Sequence, residues 1–299
     1  MSTVRLATRR SPLALLQAEL VRSAFAAKGI GCELVRLETH GDTHHDVPLS
    51  TIGGQGVFSI EIQRAVLAGR ADVAVHSAKD LPSATPEGLV LAGVLERRDP
   101  ADVLVGRSLA GLGPGATVAT GSPRRRALLL ERRPDLRIVE LRGNMATRLG
   151  RAGRDGVDAV IAAAAALERM GSSELIAERL DTTWFVPQVG QGALALEARR
   201  DDRATLGVLE LVIDAGATRA VQAERAFLRE LGTGCSIPAG AYATLDEGTI
   251  SLHGVMLAID GTRSVRSSLR GDDPEELGTQ LALELRDSQG GGLLPGWDQ

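Results

Sequence analysis

Residues 5–29 read RLATRRSPLALLQAELVRSAFAAKG, and this stretch decides the fold class of the chain. A short segment typical of a β-strand runs into Ser11 and Pro12. Serine is a favoured helix N-cap and proline suits the first helical position, so the amphipathic run Leu13–Lys28 is predicted to be a helix that ends at Gly29. A strand that turns directly into a capped helix is the building unit of an α/β domain.

The same strand-to-helix turn returns at Ala119–Pro123, where the chain reads ATGSP. Both turns expose backbone N–H groups at a helix N-terminus. Around them the predicted strands are Val4–Thr8, Cys32–Glu38, Ala71–His76, Arg137–Leu141 and Ala159–Ala163, and the predicted helices are Val57–Ala68, Arg124–Arg132 and Met145–Arg151. This alternation predicts two related α/β domains with mainly parallel sheets, although Ser-Pro helix starts are common enough for chance to be the alternative to a repeat.

The last part of the chain has a different pattern. A predicted helix is followed by three segments that alternate like strands and by a closing helix: Thr218–Leu231, Ala239–Thr244, Thr249–Leu257, Arg263–Arg270 and Pro274–Asp287. Turn sequences at Asp246–Gly248 and Asp260-Gly261 separate the strands. The pattern predicts a small α+β domain with a three-stranded antiparallel sheet plus helices, and a disordered tail from Gly290 onward.

The composition argues against several classes of protein. The chain has 299 residues, a net charge of −4 and only 2% aromatic residues, so binding to nucleic acid by base stacking or wholesale phosphate contact is not expected. No apolar run approaches the ~20 residues of a membrane span. Gln17 and Glu19 interrupt the first apolar stretch, so no signal peptide is expected. Two cysteines are too few for a disulfide framework, and we expect a soluble, cytoplasmic protein.

Arginine supplies almost all of the positive charge. Of the 34 basic residues only Lys28 and Lys79 are lysines, and residues 119–154 hold ten arginines against three acidic residues, a net charge of +7. Arg124 and Arg125 fall in the first turn of a predicted helix, where the helix dipole disfavours cations by ~0.3–1 kcal/mol each. The sequence therefore favours an anionic ligand there. The alternative, a solvated helix face, is the preferred interpretation for Arg132, Arg133, Arg151 and Arg154.

Other cationic residues follow the ends of predicted strands. Arg9 and Ser11 follow the first strand, Arg142 follows the strand that ends at Leu141, and Arg148 lies in the next helical turn. Because ligands of open α/β sheets bind at the carboxyl ends of strands, these arginines are expected to line one crevice. Arginine binds carboxylates bidentately, so the set indicates a ligand with several carboxylates.

The pair Lys79-Asp80 directly follows a strand of the buried type. A lysine that survives in so arginine-rich a chain indicates a position that the planar guanidinium would not serve. The functional interpretation is an ionised carboxylate at the mouth of a cleft with an ammonium beside it. The structural alternative is a salt bridge that closes a loop.

Two further groups are weaker candidates. Cys235 lies in the glycine-rich segment GTGCSIP, residues 232–238, which leaves its thiol approachable, whereas Cys32 lies in an apolar strand as an unreactive cysteine would. A run rich in histidine and aspartate, residues 40–46, could suggest a metal site, but its loose spacing favours a solvated loop.

Five segments in order along the chain resemble the porphobilinogen deaminase family, also called hydroxymethylbilane synthases. They are RLATRRSPLAL (5–15), DVAVHSAKDLP (72–82), LRGNMATRL (141–149), VGQGAL (189–194) and AERAFLRELGTGCSIP (223–238). The resemblance implies three domains: residues 1–95 with about 192–214, residues 96–191, and residues 215–299. The first two would be the halves of a periplasmic-binding-protein-like fold, and the third would carry Cys235.

The resemblance also implies an activity. Such an enzyme joins four porphobilinogen molecules head to tail, with loss of ammonia, onto a dipyrromethane cofactor held by a thioether to Cys235, and water then releases hydroxymethylbilane. Each porphobilinogen carries an acetate and a propionate, so the growing chain is a polycarboxylate that fixed arginines would neutralise. Loss of ammonia leaves an electron-poor carbon and positive character at the pyrrole nitrogen, which an ionised carboxylate would stabilise.

Site residues carry over by the same resemblance. Asp80 matches the catalytic aspartate. The positions that match cofactor-binding residues are Cys235, Lys79, Asp80, Thr120, Ser122, Arg124, Arg125 and Arg148. The positions that match substrate-binding residues are Arg9, Ser11, Phe58, Arg142, Arg169 and Gln191. We expect a monomer that needs porphobilinogen but no metal, membrane or nucleic acid, and the alternative is a two-lobed, non-enzymatic protein that binds a small anion.

The sequence departs from the family pattern at three positions. Gln55 stands where lysine is common, Gly121 where serine is common and His40 where arginine is common. The first two changes remove a cation and a hydroxyl donor, and none of the three touches Asp80 or Cys235.

Overall fold

The computed structural model describes residues 3–38, 59–232 and 237–297. The described strands are β1 (Val4–Arg9), β2 (Cys32–Leu37), β3 (Val73–Ser77), β4 (Leu89–Val94), β5 (Asp102–Val105), β6 (Thr117–Ala119), β7 (Arg137–Val139), β8 (Ala159–Ala163), β9 (Ile176–Arg179), β10 (Leu194–Arg199), β11 (Ala239–Asp246), β12 (Thr249–Leu257) and β13 (Ser264–Gly271). The described α-helices are α1 (Pro12–Ala26), α2 (Ile60–Leu67), α3 (Pro123–Arg132), α4 (Met145–Leu149), α5 (Ala164–Arg169), α6 (Arg203–Leu209), α7 (Ala215–Glu230) and α8 (Pro274–Leu283). Short 3-10 turns lie at Ala78–Asp80, Ser173–Leu175 and Gly291–Leu293, and a π-helical turn lies at Glu284–Ser288.

The chain divides into two compact units. The first unit is Met1–Arg98 with Ala193–Thr218, and the second unit is Asp99–Gly192 with Arg219–Gln299. A division by compactness gives two units and does not test the three-domain boundaries implied by the family resemblance. Those boundaries stay a prediction.

The first unit is built on one five-stranded sheet in the order β2-β1-β3-β10-β4. Strands β1, β2 and β3 are parallel, and β10 inserts antiparallel between β3 and β4. Phe25 of α1 packs with Leu6 and Leu196 on one side of the sheet, and Ile62 of α2 packs with Ala74 on the other. The predicted α/β domain with a mainly parallel sheet is confirmed, with helices covering both faces.

The second unit contains a sheet of the same design, in the order β7-β6-β8-β5-β9. Here β6, β7 and β8 are parallel, and β5 inserts antiparallel between β8 and β9. The equivalence of the two orders confirms that the repeated Ser-Pro turn marks two related α/β domains.

The second unit also holds the predicted three-stranded antiparallel sheet, β11-β12-β13. A two-residue loop, Glu247-Gly248, joins β11 to β12, and both residues have positive φ values of 48° and 87°, as tight hairpins require. Leu257 of β12 packs in the same core as Leu128 of α3, so this sheet is anchored to its neighbouring α/β domain.

The expectation of a disordered tail is wrong for the described residues up to 297. Leu294 is buried in the core that α7 and α8 share with the antiparallel sheet, and Trp297 Nε1 donates a hydrogen bond of 2.8 Å to the Leu257 carbonyl. The glycine run at 290–292 turns the chain back onto this core, because Gly290 has a φ of 74° and a side chain on Gly291 would collide with its surroundings.

Candidate functional site

The carboxyl ends of β1 and β3 bring together the candidate residues of the first unit. β1 ends at Arg9, and Ser11 Oγ accepts a hydrogen bond of 3.4 Å from the Ala14 N–H, which confirms the predicted N-cap of α1. β3 ends at Ser77, and a single 3-10 turn follows that contains Lys79 and Asp80. Because β1 and β3 are parallel neighbours, both loops open at one edge of the sheet.

A small cavity opens at this edge. Its lining residues are Arg9, Ala14, Gln17, Ser59, Val75, His76, Ser77 and Asp80. Asp80 is exposed, so its carboxylate is available to a ligand, and Lys79 is partly buried beside it. Sequence reasoning missed Gln17 and His76. Gln17 had a usable signal, since it is a polar residue on the buried face of α1.

In the second unit the candidate arginines Arg124 and Arg125 surround one carboxylate, Asp102. Asp102 Oδ2 accepts a hydrogen bond of 2.7 Å from Arg124 Nη2, and Oδ1 accepts bonds of 3.0 and 2.6 Å from Nε and Nη2 of Arg125. Asp102 is fully buried, and the two arginine side chains are only 2% and 11% exposed. Burial opposes ionisation of Asp102, but the two guanidiniums outweigh it and hold the pKa of this carboxyl well below its usual range.

This geometry corrects the sequence argument about the helix dipole. Arg124 and Arg125 do lie in the first turn of α3, but the anion that compensates them is Asp102 of the same unit rather than a ligand alone. Arg124 Nη1 also donates to the Val186 carbonyl, and Arg125 Nη1 donates to the Ile161 carbonyl at 3.2 Å. The network holds both cations in fixed positions at the start of the helix.

The two hydroxyl candidates of this unit form the turn that leads into α3. Ser122 Oγ accepts a hydrogen bond of 3.4 Å from the Arg125 N–H, which confirms the second predicted N-cap. Thr120 Oγ1 accepts one of 3.2 Å from the Ser122 N–H and is buried. Gly121 approaches the next strand end closely, since a Cβ there would lie 2.8 Å from the Leu141 carbonyl oxygen. The two hydroxyls therefore shape the turn that leads into α3.

The remaining candidate arginines follow the neighbouring strands β7 and β8. Arg142 is exposed and lies 3.2 Å from Glu140, and Arg148 Nε donates at 2.7 Å to the Gly143 carbonyl. Arg169, at the end of α5, donates at 2.6 Å to the Gly192 carbonyl. Since β6, β7 and β8 are parallel, these residues share one sheet edge with Arg124 and Arg125.

Gln191 connects this edge to helix α7. Its Nε2 donates to the Pro100 carbonyl at 2.7 Å and to Asp102 Oδ1 at 2.9 Å. The adjoining Gly190 N–H donates to the buried carboxylate of Glu224, which also accepts from the Ala243 N–H at 2.8 Å. The loop that carries Gln191 is thus fixed between Asp102 and α7, the helix that precedes the Cys235 segment.

The arginines that the sequence assigns to a solvated helix face differ in their exposure and contacts. Arg132 stacks 4.6 Å from the ring centre of Trp184, and Arg133 forms an ion pair of 2.7 Å with Asp135 and donates to the Leu112 carbonyl. Arg132 and Arg154 are exposed, in agreement with the solvated interpretation, whereas Arg133 is partly buried and its contacts also tie α3 to the preceding loop.

Several candidates lie outside the described residues: Cys235, Phe58, Gln55 and the run 40–46. Within the described ranges, no group of three His, Cys, Asp or Glu side chains could hold a metal ion. Cys32 is described and is partly buried, and this burial raises the pKa of its thiol, as expected for an unreactive cysteine. Among the described helices, none is long and apolar enough to cross a membrane.

Two family models and several curated relatives match nearly the whole chain. The family model "Porphobilinogen deaminase, dipyromethane cofactor binding domain" matches residues 4–207, and "Porphobilinogen deaminase, C-terminal domain" matches residues 218–287. A porphobilinogen deaminase of Trichlorobacter lovleyi is 43% identical over 297 residues, covering 97% of this chain and 95% of its own. That of Acidothermus cellulolyticus is 47% identical over 294 residues, covering 95% of this chain and 89% of its own. A periplasmic substrate-binding protein of an ABC transporter from Coxiella burnetii is similar with a TM-score of 0.43 and 16% identity, over 70% of this chain and 91% of its own.

The fold and the site define an α/β enzyme with arginines gathered at the carboxyl ends of its strands, suited to a ligand that carries several carboxylates. The chain belongs to the porphobilinogen deaminase family. It is a transferase that joins four porphobilinogen molecules on a dipyrromethane cofactor and yields hydroxymethylbilane for porphyrin and heme biosynthesis. Family membership does not favour the alternative of a non-enzymatic anion-binding protein.

Proposed function

We propose that Asp80 is the catalytic carboxylate of this transferase. The observation that supports it is its position: an exposed carboxylate in the turn after β3, lining a cavity with Arg9 at the carboxyl edge of the sheet. A negative charge there would stabilise the positive charge that develops at the pyrrole nitrogen as ammonia leaves, and the same oxygen can accept and return a proton.

The residues of the second unit fit a polycarboxylate cofactor by their chemistry. Five arginines lie at the edge formed by β6, β7 and β8: Arg124, Arg125, Arg142, Arg148 and Arg169. Asp102 and Glu140 pair with members of this set, whereas the neighbouring carboxylates Glu131 and Glu168 pair with Arg266 and Arg179, so the set keeps a positive balance after its ion pairs. When bound, dipyrromethane supplies the pyrrole end to which each monomer is added. The residues that would hold it are Lys79, Thr120, Ser122, Arg124, Arg125 and Arg148, with the thioether at Cys235.

Arriving porphobilinogen is proposed to bind through a second set of donors. Its members are Arg9, Ser11, Arg142, Arg169 and Gln191, with Phe58 from the segment outside the described residues. Arg9 and Asp80 line the same cavity, so a monomer whose carboxylate pairs with Arg9 would be held within reach of Asp80. Arg142 is exposed, which leaves its guanidinium accessible to a carboxylate.

We further propose that the enzyme acts as a monomer in the cytoplasm, without a membrane or nucleic-acid partner. The acidic net charge of −4 supports the absence of a nucleic-acid partner, because it gives nucleic acid no general electrostatic attraction. Sedimentation at micromolar concentration would test the monomeric state, and a salt titration with an oligonucleotide would test the absence of nucleic-acid binding. A stable dimer, or binding that weakens steeply with salt, would contradict them.

Substitution of Asp80 tests the catalytic proposal directly. Asp80→Asn keeps the size of the side chain and removes its charge, and we expect turnover to fall by ~10³-fold, which corresponds to ~4 kcal/mol of barrier. Asp80→Glu keeps the charge one methylene away and should retain more activity. The measurement is single-turnover consumption of porphobilinogen, after mass spectrometry has confirmed that each variant carries its cofactor.

Asp201→Asn is the matched control, since Asp201 is another exposed aspartate of the first unit outside the cavity. It should turn over like the wild type. If Asp80→Asn stays within a few-fold of the wild type, or loses only thermal stability as the salt-bridge alternative predicts, Asp80 is not the catalytic carboxylate.

A further inference from the structure

Three buried polar side chains meet on one face of the first unit's sheet. Glu197 of β10 is fully buried, and its Oε2 accepts a hydrogen bond of 2.8 Å from Nε2 of Gln63. The same oxygen lies 3.1 Å from Nε2 of His76, whose side chain is 5% exposed. The direction of this last contact departs from ideal hydrogen-bond geometry, so its attraction is mainly electrostatic.

The register of the sheet produces this cluster. In the antiparallel pair of β3 and β10, His76 lies opposite Ala195 and Glu197 opposite Ala74, so His76 and Glu197 are diagonal neighbours on the same face. Gln63 reaches them from α2, which covers that face. Polar groups are costly to bury, whereas an apolar pair would pack here without that cost.

The cluster lies directly behind the catalytic turn. His76 lines the same cavity as Asp80. The pairing of β3 with β10 reaches its end at Ser77 and Leu194, and Asp80 follows three residues after Ser77. Backbone pairing continues one step further, since the Ala78 N–H donates to the Ala193 carbonyl at 3.1 Å. The contact between His76 and Glu197 therefore joins the two strands by their side chains within the last few pairs of the ladder, next to the turn that carries Asp80.

We propose that Glu197 and His76 are positioning residues for Asp80. They fix the end of β3, and through it the turn that carries the catalytic carboxylate. Displacement of a catalytic group by about 1 Å costs on the order of 100-fold in rate. Loss of the contact between Glu197 and His76 should therefore lower kcat more than it weakens substrate binding. This inference rests on the proposed function of Asp80 and adds two residues to it.

The contact also favours one tautomer of His76. Gln63 donates to Glu197 Oε2, so this oxygen is an acceptor. An unprotonated Nε2 lying 3.1 Å away would set two acceptors against each other, and a protonated Nε2 avoids that repulsion even without a well-directed hydrogen bond. Imidazole ¹⁵N spectra of the holoenzyme test this point without relying on activity. We expect a protonated Nε2 on His76, with a signal that moves in Glu197→Gln and is absent in His76→Gln. An acceptor-type Nε2 would overturn the proposal.

Kinetics test the positioning role. We expect Glu197→Gln and His76→Leu each to lower kcat by 10- to 100-fold, on the order of the cost of misorientation, with KM for porphobilinogen within about threefold of the wild type. The double variant should be no slower than the slower single variant, because residues that act as one unit are not additive. His76→Gln keeps a donor at the Nε2 position and should recover much of the rate lost in His76→Leu.

Asp72→Asn is the matched control for simple destabilisation. Asp72 precedes β3 at its other end and pairs with Arg5, so this variant should lower the melting temperature and leave kcat unchanged. Holoenzyme with intact cofactor mass is used throughout. Wild-type kcat in Glu197→Gln, or effects that multiply in the double variant, would overturn the positioning role. A wild-type chain that consumes no porphobilinogen would instead overturn the proposed function itself.

Discussion

Replacing Asp102 by asparagine should be among the most destabilising conservative changes in this protein. The wild-type carboxylate accepts four hydrogen bonds, three from guanidinium groups and one from Gln191. Asparagine keeps one acceptor oxygen but leaves Arg124 and Arg125 as two cations without a counter-charge, and both are nearly inaccessible to water. Removing one partner of a buried ion pair costs about 3–5 kcal/mol. For a chain of this size that is a fall in melting temperature of roughly 10 °C.

The assay is thermal unfolding of the purified variants, followed by circular dichroism. Asp72→Asn is again the matched control, because Asp72 also meets two arginines, Arg5 and Arg199. The side chains of that cluster are 17% to 36% exposed, so water compensates for the lost charge and a much smaller shift is expected. A melting temperature of Asp102→Asn equal to that of the wild type, or equal shifts in the two variants, would refute the reasoning.

Three further outcomes follow from the described contacts. Folding lowers the pKa of Asp102, so the carboxylate contributes its full stability above the unfolded pKa near 4 and loses it as the pH falls through the folded value. The difference in free energy of unfolding between the wild type and Asp102→Asn, measured in urea, should therefore narrow below about pH 4. A difference that stays constant with pH would contradict this. Arg125→Lys keeps the charge but not the two-nitrogen contact with Asp102, so cofactor assembly and turnover should fall while far-ultraviolet circular dichroism stays native, and unchanged turnover would exclude a binding role. Intact-mass spectrometry should find the protein heavier than its sequence by two linked pyrrole units, and Cys235→Ala should lack this mass and activity while Cys32→Ala keeps both; an unmodified but active wild type would overturn the thioether.

Local chemistry made the helix starts predictable. Ser11 and Ser122 cap their helices as the Ser-Pro pairs predict, because an N-cap is decided by a few adjacent residues. The hairpin at Glu247-Gly248 was predictable for the same reason. The family resemblance implied a catalytic role for Asp80, which the residues alone left between a functional carboxylate and a salt bridge. It also implied a cofactor at Cys235, which the residues alone left as a weak candidate.

Long-range pairing was not predictable from the sequence alone. The ion pairs of Asp102 join residues more than 20 positions apart, and only an acidic residue at the start of the apolar strand DVLV hinted at them. The contact of His76 with Glu197 depends on a strand register that no local pattern fixes. The glycines of the tail are typical of a disordered segment, but Trp297 and Leu294 anchor it through contacts with residues distant in sequence, which the local pattern does not reveal.

The placement of β10 has a consequence for biosynthesis. This strand lies between β3 and β4, yet it leaves the ribosome about a hundred residues after β4, when the segment Asp99–Gly192 of the second unit has already been made. Until then the nascent first unit has two exposed strand edges where its sheet will later close, and unpaired edges invite association with other chains. A polypeptide that stops before Leu194 should therefore expose an incomplete sheet and depend on chaperones, whereas one that extends past Arg199 can close it. The strand that completes the sheet of the first unit therefore also sets the length of chain that must be translated before that sheet can close.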